Sequence, residues 1–228
     1  LAAYRALLAE PGAWFSGLAF SLTLLAILMA HEMGHFFACM RYGLDASLPY
    51  FMPFPSLIGT LGAFIRIRSP IYSRRVLFDV GIAGPLAGFA FTLPAAVAGF
   101  AMSAVAPGIA SRGDLSFGTP LLFRILQAMF FPGTDAADLS LHPVARAAWV
   151  GVFATALNLL PIGQLDGGHI VYAFFGDRHR ILSRLFTVAL VPLGVVYPPW
   201  LLRAAILFFF GSRHPVIYDL SGLGPVRR

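Results

Sequence analysis

The chain has 228 residues, of which 58% are hydrophobic and only 11% charged, whereas an ordinary soluble domain carries about 25% charged residues. That balance excludes a disordered chain, a collagen-like fibre and a small disulfide scaffold, and leaves a polytopic membrane protein. The net charge of +6 comes from 16 basic residues, all arginine, against 10 acidic ones. The arginines are scattered between apolar runs, so they point to membrane anchoring and away from nucleic acid.

A spanning helix needs roughly 20 mostly apolar residues, and four apolar blocks qualify. The first runs from about Trp14 to Met40 and the second from about Val76 to Ala106, with Gly81, Gly84 and Gly88 inside it. The third runs from about Val144 to Phe175 and is broken by Leu159–Gly168. The fourth runs from about Ile181 to Phe210, where Pro198 and Pro199 are expected to split it into two helices. The expected fold is an all-α membrane bundle of about four to six spans. There is no Arg-rich leader with a cleavage site, so no signal peptide is expected. With Leu1 in place of Met, the chain reads as trimmed, and a first span is expected to be missing.

Two connections stand out. Between the first two blocks, Ala63 to Arg68 alternates apolar and polar residues after Gly59 and Gly62. This predicts a short membrane-associated strand or hairpin over Gly59–Ser69. The connection from Pro107 to Pro143 is too short for a typical domain of about 50 residues or more and holds an amphipathic stretch near Leu121–Phe131. One domain is therefore expected over residues 1–228, with a core at 14–175 and C-terminal helices at 181–211. Cys39 is the one cysteine, so no internal disulfide is possible.

Arginines orient the chain. Arg41, Arg66, Arg68, Arg74 and Arg75 follow the first block, and Arg178, Arg180 and Arg184 follow the third. Arg112 and Arg124 lie in the intervening connection. The positive-inside rule makes the richer side cytoplasmic.

Within the first block stands His31-Glu32-Met33-Gly34-His35. On a helix the two histidines are one turn apart, about 40° around the axis, so both imidazoles can reach one ion. Glu32 lies about 100° from His31, badly placed to share the ion and well placed to reach a water on it. HExxH is the zinc metalloprotease signature, with two ligands and a general base. Ionisable groups inside an apolar span are functional by default, because each costs a few kcal/mol to insert. Catalytic zinc takes three protein ligands and keeps one position open. Asp166, beside a Pro/Gly break in a second apolar block, is the leading third ligand. His169, three residues on, and Cys39, one turn beyond His35, are the alternatives. His142, His179 and His214 are expected to be structural. The small-xxx-small spacing of Gly84 and Gly88 reads as helix packing.

The HEMGH run, Gly59 to Phe64, the AGPLAG run at Ala83–Gly88 and the NLLPIGQLDGG run at Asn158–Gly168 together resemble the site-2 protease family of intramembrane zinc metalloproteases. The resemblance covers roughly residues 14–175. It implies that His31, His35 and Asp166 hold one Zn²⁺ per chain and that Glu32 is the catalytic acid/base. It makes Asn158 a polar contact to the substrate backbone or oxyanion. Some members carry PDZ or CBS modules, for which the connections here have no room. The resemblance implies hydrolysis of a peptide bond in or near a transmembrane helix of a single-span or signal-like membrane protein, in regulated intramembrane proteolysis.

A membrane helix hides its carbonyls in its own hydrogen bonds, so the substrate must unwind before attack. The hairpin is expected to pair with the unwound segment through Gly59, Gly62, Ala63, Phe64 and Ile65; a cavity plug is the bland alternative. Competing functions are a membrane zinc protease acting on interfacial or misfolded chains, a non-catalytic zinc-containing membrane protein, and a metal transporter. The expected location is a bacterial or archaeal inner membrane, crossed several times, with the active site nearer the cytoplasmic face.

Overall fold

A computed structural model describes residues 11–53, 60–108 and 118–196. Helix α1 (Pro11–Arg41) and helix α2 (Arg74–Ala101) bracket a hairpin of β1 (Tyr50–Pro53) and β2 (Thr60–Phe64). There follow β3 (Ala104–Val105), α3 (Leu121–Phe130), β4 (Leu139–Ser140), α4 (Pro143–Asn158), α5 (Asp166–Phe175) and α6 (His179–Val196). The protein is mostly helical, with two small antiparallel strand pairs. Among the described residues, α1 and α2 are long and apolar enough to cross a membrane, with mean hydropathy of 1.9 and 1.7. At 1.5 Å per residue, α1 extends about 46 Å, beyond the roughly 30 Å hydrocarbon layer. Its outward side chains Trp14, Phe15, Leu18 and Leu22 are exposed and apolar, as lipid contact requires.

The third apolar block divides where Pro161 and Gly163 stand. Helix α4 has 16 residues and α5 has 10, each shorter than the bilayer core needs. The split expected at Pro198 and Pro199 lies outside the described residues; the described α6 carries Pro192 in its interior.

The chain forms two compact units, one comprising α1 up to Met29 with Gly88–Ala154, the other comprising Ala30–Ala87 and the chain from Thr155. In the first unit, Ala96, Phe100, Phe123, Leu126, Ala145 and Ala148 form the core. Phe100 and Phe123 meet edge to face at 5.2 Å, a preferred aromatic geometry. Helix α3 buries Phe123 and Leu126, three residues apart on one face. The Ser103 hydroxyl donates to the Gly99 carbonyl and accepts from the His142 N–H. His142 in turn accepts from the Val144 N–H through Nδ1 at the start of α4. Arg146 stands in that first turn and adds to the arginines of the connection before it. The two-residue pairing of β3 with β4 was invisible in the sequence, being too short to show a period.

The second unit contains the hairpin. Tyr50 pairs with Phe64 and Phe51 with Ala63, with a register irregularity before Pro53. Below it the arms continue through an Ala46–Ile67 bridge, and Arg68 donates its N–H to the Asp45 carbonyl. The partner arm was missed because Pro49, Pro53 and Pro55 interrupt any alternation there. Gly62 takes φ +120° within β2, a conformation that L side chains rarely adopt. Gly59 lies outside the described residues.

Helix contact in the first unit leaves no room at Gly99, where a Cβ would come within 2.3 Å of the Ala145 nitrogen. Gly99→Ala should therefore destabilise the protein by about 1–3 kcal/mol, the usual cost of overpacking. Thermal unfolding in detergent micelles measures it, and an unchanged midpoint would show that α2 and α4 can separate freely.

Candidate metal centre

Helix α1 carries His31 and His35 on one face, and the first residue of α5 is Asp166. The structure brings these three together, and they are the metal-capable cluster found among the described residues. His31 Nε2 lies 3.0 Å from one Asp166 oxygen, and His35 Nε2 lies 3.3 Å from the other. The two Nε2 atoms are 3.2 Å apart. Ligands about 2.0–2.1 Å from a tetrahedral zinc are about 3.3 Å from one another. All three edges of the triangle fit that figure, so the residues present suit the ion. His31 is 5% exposed and His35 8%, which shields the cluster from water.

Proton placement agrees. His35 Nδ1 is 2.7 Å from the Val80 carbonyl oxygen, which can only accept, so Nδ1 carries the proton and donates it. In the neutral ring Nε2 then presents a lone pair to the cluster. A hydrogen bond of this kind fixes the ring of a metal-ligating histidine.

Helix α2 is the platform for both ligand-bearing helices. A Cβ at Gly34 would meet the Ala83 carbonyl oxygen at 2.4 Å, and one at Gly84 would meet His35 Nε2 at 2.1 Å. A Cβ at Gly81 would meet the His169 Cβ at 3.2 Å, on α5. Gly84 is thus more than a helix-packing residue. Its missing side chain is the space into which the His35 ring fits. Spacing alone could not separate these roles; only the partner ring does.

The break before α5 is built the same way. A Cβ at Gly167 would come within 2.0 Å of the Leu159 carbonyl oxygen, and at Gly168 within 2.3 Å of that of Gly163. The two glycines let the first turn of α5 fold against the loop it leaves. Ser183 of α6 accepts the Gly163 N–H, and Ile162 packs on Leu190. Asp166 is consequently held at a helix start, where a negative charge is favoured.

Of the other expected site residues, Glu32 is half-buried and its carboxylate accepts a hydrogen bond from the Ile65 backbone N–H. Ala63 is buried and Phe64 exposed. Asn158 ends α4, half-buried and outside the three-ligand cluster. His169 and Cys39, the alternative third ligands, also lie outside it. Residues not anticipated are Gly34, Gly81 and Val80, together with Tyr42, whose hydroxyl donates to the Asp79 carboxylate and ties the end of α1 to α2.

Comparison with known proteins places the chain. The profile of Peptidase family M50 matches residues 19–197. The chain is 33% identical over 212 residues to a rice protein (Oryza sativa subsp. japonica) described as "Probable zinc metalloprotease EGY1, chloroplastic", covering 90% of this chain and 36% of that one. The Arabidopsis thaliana protein of the same description is 31% identical, covering 90% and 38%. An Arabidopsis thaliana "Probable zinc metalloprotease EGY2, chloroplastic" is 28% identical, covering 88% and 36%. The chain thus spans little more than a third of the length of these relatives. Their chloroplast location lends no support to a bacterial or archaeal inner membrane. Its length, motifs and centre agree on one assignment: the chain belongs to peptidase family M50, the site-2 protease family, and is a membrane protein.

Proposed function

We propose that the protein is an intramembrane zinc metalloprotease that hydrolyses a peptide bond in or near a transmembrane helix. The observation that carries this reading is the triangle of two histidines and a carboxylate, at zinc spacing, inside apolar helices. His31, His35 and Asp166 would hold one ion per chain. Zinc supplies Lewis acidity, lowering the pKa of a coordinated water to about 7 and polarising a carbonyl. Glu32 then takes a proton from the attacking water and returns it to the leaving amine nitrogen. Asn158 would donate to the oxyanion or the substrate backbone, an interaction typically worth about 2.7–4 kcal/mol.

The substrates are single-span or signal-like membrane proteins, cleaved as a regulated step. Gly59, Gly62, Ala63, Phe64 and Ile65 supply the edge along which an unwound segment lies as an added strand. The 228 residues work as one transmembrane metalloprotease domain, crossing the bilayer about four to six times once the shorter helices are counted. With Arg146 included, eight arginines follow α1 and α5 against three in the connection before α4. That imbalance orients the centre toward the side that keeps positive charge, the cytoplasmic side in a plasma membrane.

Purified protein should carry about one zinc per chain. His31→Ala, His35→Ala and Asp166→Ala should each lose it, and so should Gly84→Ala, by displacing the His35 ring. Glu32→Gln should keep zinc and lose cleavage of single-span helices, because an amide cannot shuttle the proton. Wild-type turnover by that variant would remove Glu32 from the mechanism.

Topology is read by cysteine labelling at introduced sites. Residues 41–75 and 177–184 should report one side of the membrane, and Gly133 the other. Common labelling of all three would overturn the orientation.

Strand addition makes a separate demand. Ile65→Pro removes an N–H from the hairpin arm and should stop cleavage while zinc stays bound. Helix-breaking residues in the substrate span should speed wild-type cleavage by lowering the cost of unwinding. Normal cleavage by zinc-loaded Ile65→Pro would reduce the hairpin to a cavity plug.

A further inference from the structure

The backbone of the hairpin has two edges, and the hydrogen bonds of Arg66 tell them apart. The Arg66 N–H donates to Ser47 Oγ at 2.8 Å, and its carbonyl accepts from the Ser47 N–H at 2.9 Å. Both groups of Arg66 therefore face the partner arm, as do those of Arg68, whose N–H donates to the Asp45 carbonyl. Successive residues of a strand turn their backbone groups to alternate sides. Ala63 and Ile65 accordingly face the opposite, open edge. The contact of the Ile65 N–H with the Glu32 carboxylate lies on that edge.

We propose that the Ile65 backbone N–H is a positioning group for Glu32, so that one strand edge both fixes the general base and receives the substrate. This rests on the reading of Glu32 as the base. The consequence is a register. A substrate strand added at Ala63 finds its N–H and carbonyl free to pair, and finds the next donor, Ile65, already taken by Glu32. The added strand ends beside the base, which sets where along the substrate the proton can be moved. The two donors then have separable effects: Ala63 acts on binding, Ile65 on turnover.

The first measurement is amide hydrogen exchange of the whole protein in detergent micelles. Glu32→Ala should speed exchange at Ile65 by about tenfold or more while leaving Arg66, held by Ser47, unchanged. Glu32→Gln, which keeps an acceptor oxygen, should retain the protection. Equal exchange at Ile65 in all three proteins would overturn the proposal.

The second measurement replaces Ile65, and separately Ala63, with its α-hydroxy acid, which deletes one N–H and keeps the side chain. The probe is a synthetic single-span Leu/Ala helix with a central Asn-Pro pair. The Ile65 ester should lower kcat by about tenfold with KM within about twofold, and the Ala63 ester should raise KM and leave kcat. Zinc content should not change in either, and Ile65→Val, which keeps the N–H, should behave as wild type. An Ile65 ester that alters only KM, or nothing, overturns the positioning role. Equal cleavage by wild type and Glu32→Gln, or none by either, overturns the hydrolytic reading instead, and the exchange result still decides whether Ile65 holds Glu32.

Discussion

Three helices can bring their ligands to one point because α2 presents them with almost no side chains. Gly34 of α1 rests on the Ala83 carbonyl, the His35 ring fills the space over Gly84, and α5 lies against Gly81. Each contact is closer than a Cβ allows. Apolar packing alone gives helices no preferred depth in lipid, which is as apolar as they are. Close backbone approach does, because it is favourable at one register and repulsive one residue away. Small residues on α2 thus set the positions of His31, His35 and Asp166 relative to one another.

The convergence needs a cation to be stable. Two imidazole nitrogens and a carboxylate stand within 3.3 Å of each other, with the His35 Nε2 lone pair turned inward by the Val80 hydrogen bond. In a low-dielectric surrounding, grouped acceptors without a shared positive charge are costly. A divalent ion turns that cost into binding energy. The packing of α2 and the chemistry of the centre are therefore one design: the glycines impose the crowding that the metal relieves.

How much of this was legible depended on the range of the signal. His31, Glu32 and His35 were readable because a helical turn brings them together locally, and Asp166 because a carboxylate beside Pro161 and paired glycines is anomalous in an apolar block. The break in the third block was legible for the same reason. The role of Gly84 was not, since a spacing of four small residues describes helix packing and a seat for a ring equally well. Nor was β1, whose prolines hide its pairing, or β3 with β4, which are two residues each. What remained hidden was the partner in each case, set by contacts distant in sequence. The tally of arginines shows the same limit: Arg146 belonged to an apolar block by hydropathy and to a connection by structure.

The hairpin bears on the oldest difficulty of cutting a helix in lipid. An unwound segment exposes backbone groups that the bilayer cannot satisfy, so the opened state needs partners at the moment it forms. An open strand edge supplies them in the same geometry the substrate adopts. It supplies them along a line, however, and a line alone lets the segment slide by pairs of residues. Sliding would present a different carbonyl to the centre at each step. A base hydrogen-bonded to the edge itself removes that freedom, because the point of attack and the pairing pattern then share one frame. Gly62, with its φ of +120°, fits the same logic from the other side: a bend in β2 shortens the straight stretch available for pairing, so that Ala63 and Ile65 form a brief edge with one end defined by Glu32.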